Sequence, residues 1–161
     1  VYAYLFVGYL LKDLNGDGSP ELIVGEDYPD DDHLHLIYAV YTLNRGVPKM
    51  VLEGWARNRY CLLADGSFYN EGSDGAIYAI LATGELSKET GEAQIKDYYF
   101  TMEKEDGNPD EIGYYHNHTG ERDRASSEEV DQKTFESFME RCESQVEVLG
   151  LVPINTVESY Q

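Results

Sequence analysis

Short runs of β-branched and aromatic residues, each closed by Gly, Asp or Asn, recur along most of this chain. This punctuation constrains the fold most, because such runs between turn residues form strands. The runs are Tyr4–Leu11, Glu21–Val24, Leu34–Leu43, Lys49–Trp55, Tyr60–Leu63, Ser67–Tyr69, Ala76–Ala82, Ile95–Met102 and Gly113–His116. Asn44-Arg45-Gly46 and Ala64-Asp65-Gly66 read as hairpin loops, since Gly and Asn tolerate the positive φ of tight turns. Connections this short predict antiparallel pairing. In Ile95–Met102, Tyr98, Phe100 and Met102 alternate with Asp97, Tyr99 and Thr101, the pattern of a half-buried strand.

One helix is expected. Ser126 and Ser127 precede Glu128 and Glu129, which predicts an N-cap with acids in the first turn. Phe135, Phe138, Met139, Cys142, Val146 and Leu149 then recur at spacings that share one helical face, with Gly150 as the stop and Pro153 beyond. Such a stripe packs a helix on a sheet. Thr119–Arg124 is the polar loop before it. There is no internal repeat and no long linker. The expectation is therefore one α+β domain over residues 1–161, a twisted antiparallel β-sheet with one C-terminal helix packed on it.

Composition sets the exclusions. The 42% apolar content, with 14 Tyr and 5 Phe, supplies a core and argues against a disordered acidic tail. Against 31 acidic residues stand 12 basic ones, a net charge of -19. Nucleic acid is excluded as a general partner, because phosphate binding needs a basic stripe, and an anionic membrane surface is disfavoured too. No apolar run approaches the roughly 20 residues of a transmembrane helix. Val1–Leu11 lacks the charged region and cleavage site of a signal peptide. Cys61 and Cys142 permit one disulfide, but two buried thiols are the simpler reading.

The sharpest motif is Asp13-Leu14-Asn15-Gly16-Asp17-Gly18-Ser19-Pro20-Glu21. Oxygen-bearing side chains alternate at 13, 15, 17, 19 and 21, and Gly18 falls where the chain must turn around a cation. Calcium takes ~6–8 hard oxygen ligands, and a loop of this kind wraps them around one centre. Asp13, Asn15 and Asp17 are expected to give side-chain oxygens, Ser19 its carbonyl, and Glu21 to close the site directly or through water. Magnesium suits the loop less, because it demands a tight octahedron. An EF-hand fails: its twelfth position falls on Val24, and both flanks look extended. The competing reading is an acidic Asx-turn that binds nothing.

DLNGDGSPELIVG resembles the calcium loops of FG-GAP and VCBS-type repeats, which lie between strands. One copy occurs, and Glu21 replaces the usual final Asp, so a propeller is not expected. With the further landmarks LADGSFYNEGSDGA and SSEEVDQKTFESFM, most of the chain is similar to secreted or lipoprotein-type domains of Gram-positive bacteria. Only the first landmark is specific. The resemblance implies a structural calcium site and a secreted or lipid-anchored, cell-surface location; it implies no activity.

Two His-x-His pairs, His33/His35 and His116/His118, each offer two imidazoles to zinc on one strand face, but no third ligand is evident near either in the sequence. Exposed loop histidines are the plainer reading. Asp30-Asp31-Asp32 with Glu26 and Asp27 reads as a solvated acidic loop rather than a second ion site. No Gly-x-Ser-x-Gly elbow or phosphate loop is present, and Cys61 has no partner in sequence, with His116 the candidate to meet it in space. Tyr114, Tyr115, Tyr28, Tyr69 and Trp55 either complete the core or form an exposed patch for sugar or peptide, with core the expectation for most. The function expected is a calcium-stabilised extracytoplasmic structural or binding domain whose ligand is an unidentified protein, peptide or glycan. The alternative is a secreted hydrolase, which would need a deep pocket with converging titratable groups.

Overall fold

The computed structural model describes residues 7–28, 35–75, 77–104 and 111–154. Among these, eleven antiparallel strands form one sheet. The first six are β1 (Val7–Lys12), β2 (Glu21–Asp27), β3 (His35–Asn44), β4 (Val47–Glu53), β5 (Asn58–Leu62) and β6 (Phe68–Ser73). The others are β7 (Ala79–Leu86), β8 (Ala93–Glu103), β9 (Ile112–Asn117), β10 (Glu128–Val130) and β11 (Val152–Pro153). Their order across the sheet is β10-β9-β8-β7-β6-β5-β3-β2-β1-β11, with β4 also paired to β3. The nine expected runs all correspond to strands within the described residues, and the α+β class with one helix holds. Both expected hairpin turns form. Arg45 (φ 53°) and Gly46 (φ 80°) close β3 onto β4, while the Gly66 amide donates to the Leu63 carbonyl between β5 and β6.

The sheet coils. At one end of the curl Asn15 donates to the Ser87 carbonyl, and Lys49 of β4 pairs with Glu92. The concave face buries Ile23, Ile37, Val40, Leu52, Leu62, Phe68 and Leu86, and continues into Ala82, Tyr98, Phe100 and Tyr115. The opposite face of β5–β9 carries Leu63, Tyr69 and Leu81 and is covered by α1 (Gln132–Glu143) through Phe135, Phe138 and Cys142. The strand alternation in β8 is therefore as expected, but both of its faces are covered in part.

The helix is shorter than its apolar stripe. Glu128 and Glu129, expected as acids in the first turn, instead lie in β10, which pairs with Tyr114–His116 and extends the sheet. Ser127 is engaged elsewhere: its hydroxyl accepts from Asn117 and donates to the Asp123 carbonyl. Asp131 caps the helix, its carboxylate accepting from the Thr134 amide at 2.7 Å. At the far end the chain leaves the helix well before Gly150. Val146 bridges Leu63, and the Glu147 amide donates to the Leu62 carbonyl at 2.9 Å. The end of β5 offers unpaired backbone groups, and satisfying them outweighs another helical turn. Leu149 consequently joins the concave-face core. No described helix is long and apolar enough to cross a membrane.

Candidate functional site

The Asp-rich loop joins β1 to β2 and is built from its own side chains. Asp13 accepts from the Gly16 amide (2.7 Å) and the Gly18 amide (3.0 Å). Asn15 accepts from the Asp17 amide, and Asp17 from the Ser19 amide at 2.7 Å. Glu21 differs from the others: it is 0% exposed, on the same face of β2 as the core residue Ile23. Its carboxylate accepts from the Leu14 amide (2.8 Å) and the Thr42 hydroxyl (3.1 Å), tying the loop to β3. All five predicted ligand residues thus lie in one hydrogen-bonded loop, with Asp13 and Asp17 toward solvent and Glu21 turned inward. Among the described residues no basic side chain pairs with Asp13, Asp17 or Glu21; nearby Lys12 pairs with Glu147 instead. Beside the loop runs a polar cleft of about 450 Å³ whose lining includes Asn15, Asp65, Ser67, Ser87 and Lys96.

A second feature lies where β4 turns into β5. Trp55 and Asn58 exchange backbone hydrogen bonds of 2.9 and 2.8 Å around Ala56-Arg57. The preceding Gly54 lies so close to β3 that a Cβ there would meet the Ile37 carbonyl oxygen at 2.4 Å. The turn is thereby pressed onto β3, and Trp55 is left 59% exposed. A groove of about 310 Å³ lies between Trp55, Tyr38, Glu26 and Arg59. Glu26 acts on both the Tyr28 and Tyr38 hydroxyls. Its charge is the main cause of the raised Tyr28 phenol pKa, while burial first and then interaction with Glu26 raise Tyr38. Of the five aromatics expected either in the core or in a patch, Tyr69 and Tyr115 are buried, Tyr114 packs on Phe135 and Tyr28 is half-buried, which leaves Trp55 exposed.

Of the described histidines, His35 and His116 lie on strands, whereas His118 sits just past β9 and is exposed as expected. His35 is buried on β3, its Nδ1 2.9 Å from Asp27 Oδ1. Asp27 also accepts from the amides of Leu149 (3.0 Å), Gly150 (2.7 Å) and Leu151 (3.2 Å). Glu26 and Asp27 are thus partnered strand residues and not a solvated loop, while His33 and Asp30–Asp32 lie outside the described residues. His116 and His118 share a face at the end of β9, where Asp97 of β8 meets both at 3.0 and 3.6 Å. The sequence shows two imidazoles here; the third group is legible only in the β8–β9 register.

The titratable groups with shifted pKa values are scattered. Burial pushes the Cys61 and Cys142 thiols up to about 11, and both are free. Cys61 shares a pocket of about 200 Å³ with Arg59, Tyr69, Glu71 and Glu143, none of them an imidazole base. His116 is engaged with Asp97, and among the described residues no hydrogen bond joins it to Cys61. Hydrogen bonds from Ser67 hold Asp65 below the usual carboxylate range, and one from Tyr78 does so for Glu103.

Comparison with known proteins finds no matching family model, no similar curated protein and no similar solved structure.

Proposed function

We propose that this chain is a calcium-stabilised, extracytoplasmic binding domain whose ligand is a glycan stacked on Trp55. The observation that carries the binding reading is Trp55 itself, 59% exposed and braced against β3 beside a groove. An exposed, rigidly held indole suits the apolar face of a sugar ring, and Glu26 and Arg59 in the same groove suit its hydroxyls. The shifted titratable groups are distributed across the sheet, which favours binding over the secreted-hydrolase alternative.

The calcium reading rests on charge and chemistry. Three carboxylates, Asp13, Asp17 and Glu21, fall within nine residues with no basic partner among the described ones. Each carboxylate has about four lone-pair sites, so although every oxygen of Asp13 and Asp17 already accepts one hydrogen bond, spare lone pairs remain for a cation. Neutralising those charges would fasten the β1–β2 hairpin to β3 through Glu21 and Thr42. Extracellular calcium modules bind at ~10⁻⁴–10⁻³ M, which suits a protein working outside the cytoplasm.

Two measurements test the two halves separately. Calcium at ~100 times such a dissociation constant adds ~2.7 kcal/mol, or roughly 5–11 °C in melting temperature for a domain of this size. Asp17→Ala is expected to abolish that increment, and an unchanged melting temperature between EDTA and calcium overturns the calcium site. For the ligand, titration with soluble bacterial and plant oligosaccharides is expected to quench Trp55 fluorescence, with binding lost in Trp55→Ala. If no glycan binds the calcium-loaded protein, the glycan reading fails while the calcium result stands.

A further inference from the structure

Independently of the calcium loop, we infer that Asp97, His116 and His118 form a binding site for a divalent transition metal, with zinc the best match. The three residues lie at the end of the β8–β9 ladder. Tyr99 pairs with His116 and Tyr98 with Asn117, so the register places Asp97 opposite His118 and diagonal to His116, all on one face. One ligand atom from each falls within 4.8 Å of the other two. Asp97 Oδ1 is 3.0 Å from His116 Nε2 and 3.6 Å from His118 Nδ1. Zinc bonds to imidazole and carboxylate are ~2.0–2.2 Å, so the edge of a zinc tetrahedron is roughly 3.4 Å. The two spacings to Asp97 bracket that edge, and the third, between the imidazole nitrogens, is within 4.8 Å.

The set also has the right chemistry and support. Two imidazoles and one carboxylate select zinc or a neighbouring transition metal over calcium or magnesium, which require oxygen donors. Asp97 Oδ1 faces both rings at once, and its ion-pair partners among the described residues are those imidazoles alone. A metal replaces the protons that otherwise sit between these atoms, and it also competes with the Lys96 carbonyl, now 2.5 Å from His118 Nδ1. Two cations of this region are otherwise engaged: Lys96 pairs with Glu85, and Arg141 lies over the Phe138 ring. Position is fixed from behind. The Tyr99 ring stacks on His116 with centroids 4.3 Å apart, and Phe138 of α1 holds Tyr99 at the same separation.

Accessibility rises across the set, from His116 (15%) through Asp97 (34%) to His118 (71%), so an ion can enter from the His118 side. Three protein ligands leave one tetrahedral position for water, the arrangement of an open zinc site and not of a closed structural one.

Zinc titration of the full chain by calorimetry tests this, after chelator stripping and with calcium kept in millimolar excess. The expected result is one zinc per chain, with the ring signals of both His116 and His118 shifted in the NMR spectrum. His118→Ala, at an exposed position that leaves folding intact, is expected to weaken zinc at least ~100-fold, beyond what even loss of an outer-shell partner costs. Asp17→Ala in the calcium loop is expected to leave zinc affinity unchanged. Absence of zinc binding, or zinc binding that His118→Ala does not weaken, overturns the assignment.

Discussion

Asp27 is the most consequential acidic side chain outside the loop, and its replacement gives a sharp test of how the C-terminal segment is held. Its two oxygens accept from three consecutive amides, Leu149, Gly150 and Leu151, at 2.7–3.2 Å, and one of them also meets His35. The Asp27 side chain is 16% exposed and that of His35 only 3%, so solvent offers little substitute. Hydrogen bonds to a charged acceptor contribute ~1.5–3 kcal/mol each, and they do not sum fully because the Gly150 amide can reach water. Leaving a buried donor without its acceptor costs ~1–3 kcal/mol, so with several donors orphaned and Gly150 rehydrated a loss of ~3–5 kcal/mol is expected for Asp27→Ala. At ~2–4 °C per kcal/mol the melting temperature should fall by roughly 6–20 °C. Urea denaturation measures the global loss. Hydrogen exchange at residues 149–151 measures its location, with those amides losing protection first, since each has lost its acceptor. Asp27→Asn, which retains one carbonyl oxygen, should fall between wild type and alanine. The reasoning is refuted if Asp27→Ala costs no more than the ~0.5 kcal/mol of an ordinary surface substitution, or if the three amides keep their protection.

Two further outcomes follow from close packing and from local hydrogen bonding. A Cβ at Gly84 would lie 2.4 Å from the Phe68 ring and 2.4 Å from the Gln94 carbonyl oxygen, so Gly84→Ala should cost ~1–3 kcal/mol of overpacking in chemical denaturation. The folded-state pKa of Asp65 is depressed, chiefly by the Ser67 hydroxyl and amide, so its contribution to stability is present above the unfolded value near 3.9 and is lost as pH falls through the lower folded value. NMR titration should show Asp65 ionising below that reference, and Ser67→Ala should move it back up.

Much of the fold was legible because strands announce themselves locally. Alternation in Tyr98–Met102 and Gly-containing loops at 45–46 and 64–66 depend on neighbours in sequence, and antiparallel pairing follows from short connections. The helix boundaries were less legible. The apolar stripe runs through Leu149, yet α1 stops at Glu143, since the ends of the stripe answer to partners distant in sequence. Of the candidate sites, only the loop at 13–21 is contiguous; spacing also picked out His116 and His118, but not Asp97, which joins them only through strand register. Trp55 was noticed among five aromatics, but its exposure depends on how tightly Gly54 approaches β3.

The sequence by itself determined the strand periodicity, the turn positions, the acidic excess and the alternating oxygens of Asp13 to Glu21, because each is a property of neighbouring residues. Only the tertiary structure decided that Glu21 is turned into the core against Thr42, that Asp27 fastens a segment more than a hundred residues away, and that Asp97 meets His116 and His118. Those placements depend on strand register and on the coiling of the sheet. Both are fixed by burying one continuous apolar face, a condition that the whole chain satisfies at once and that no single stretch encodes.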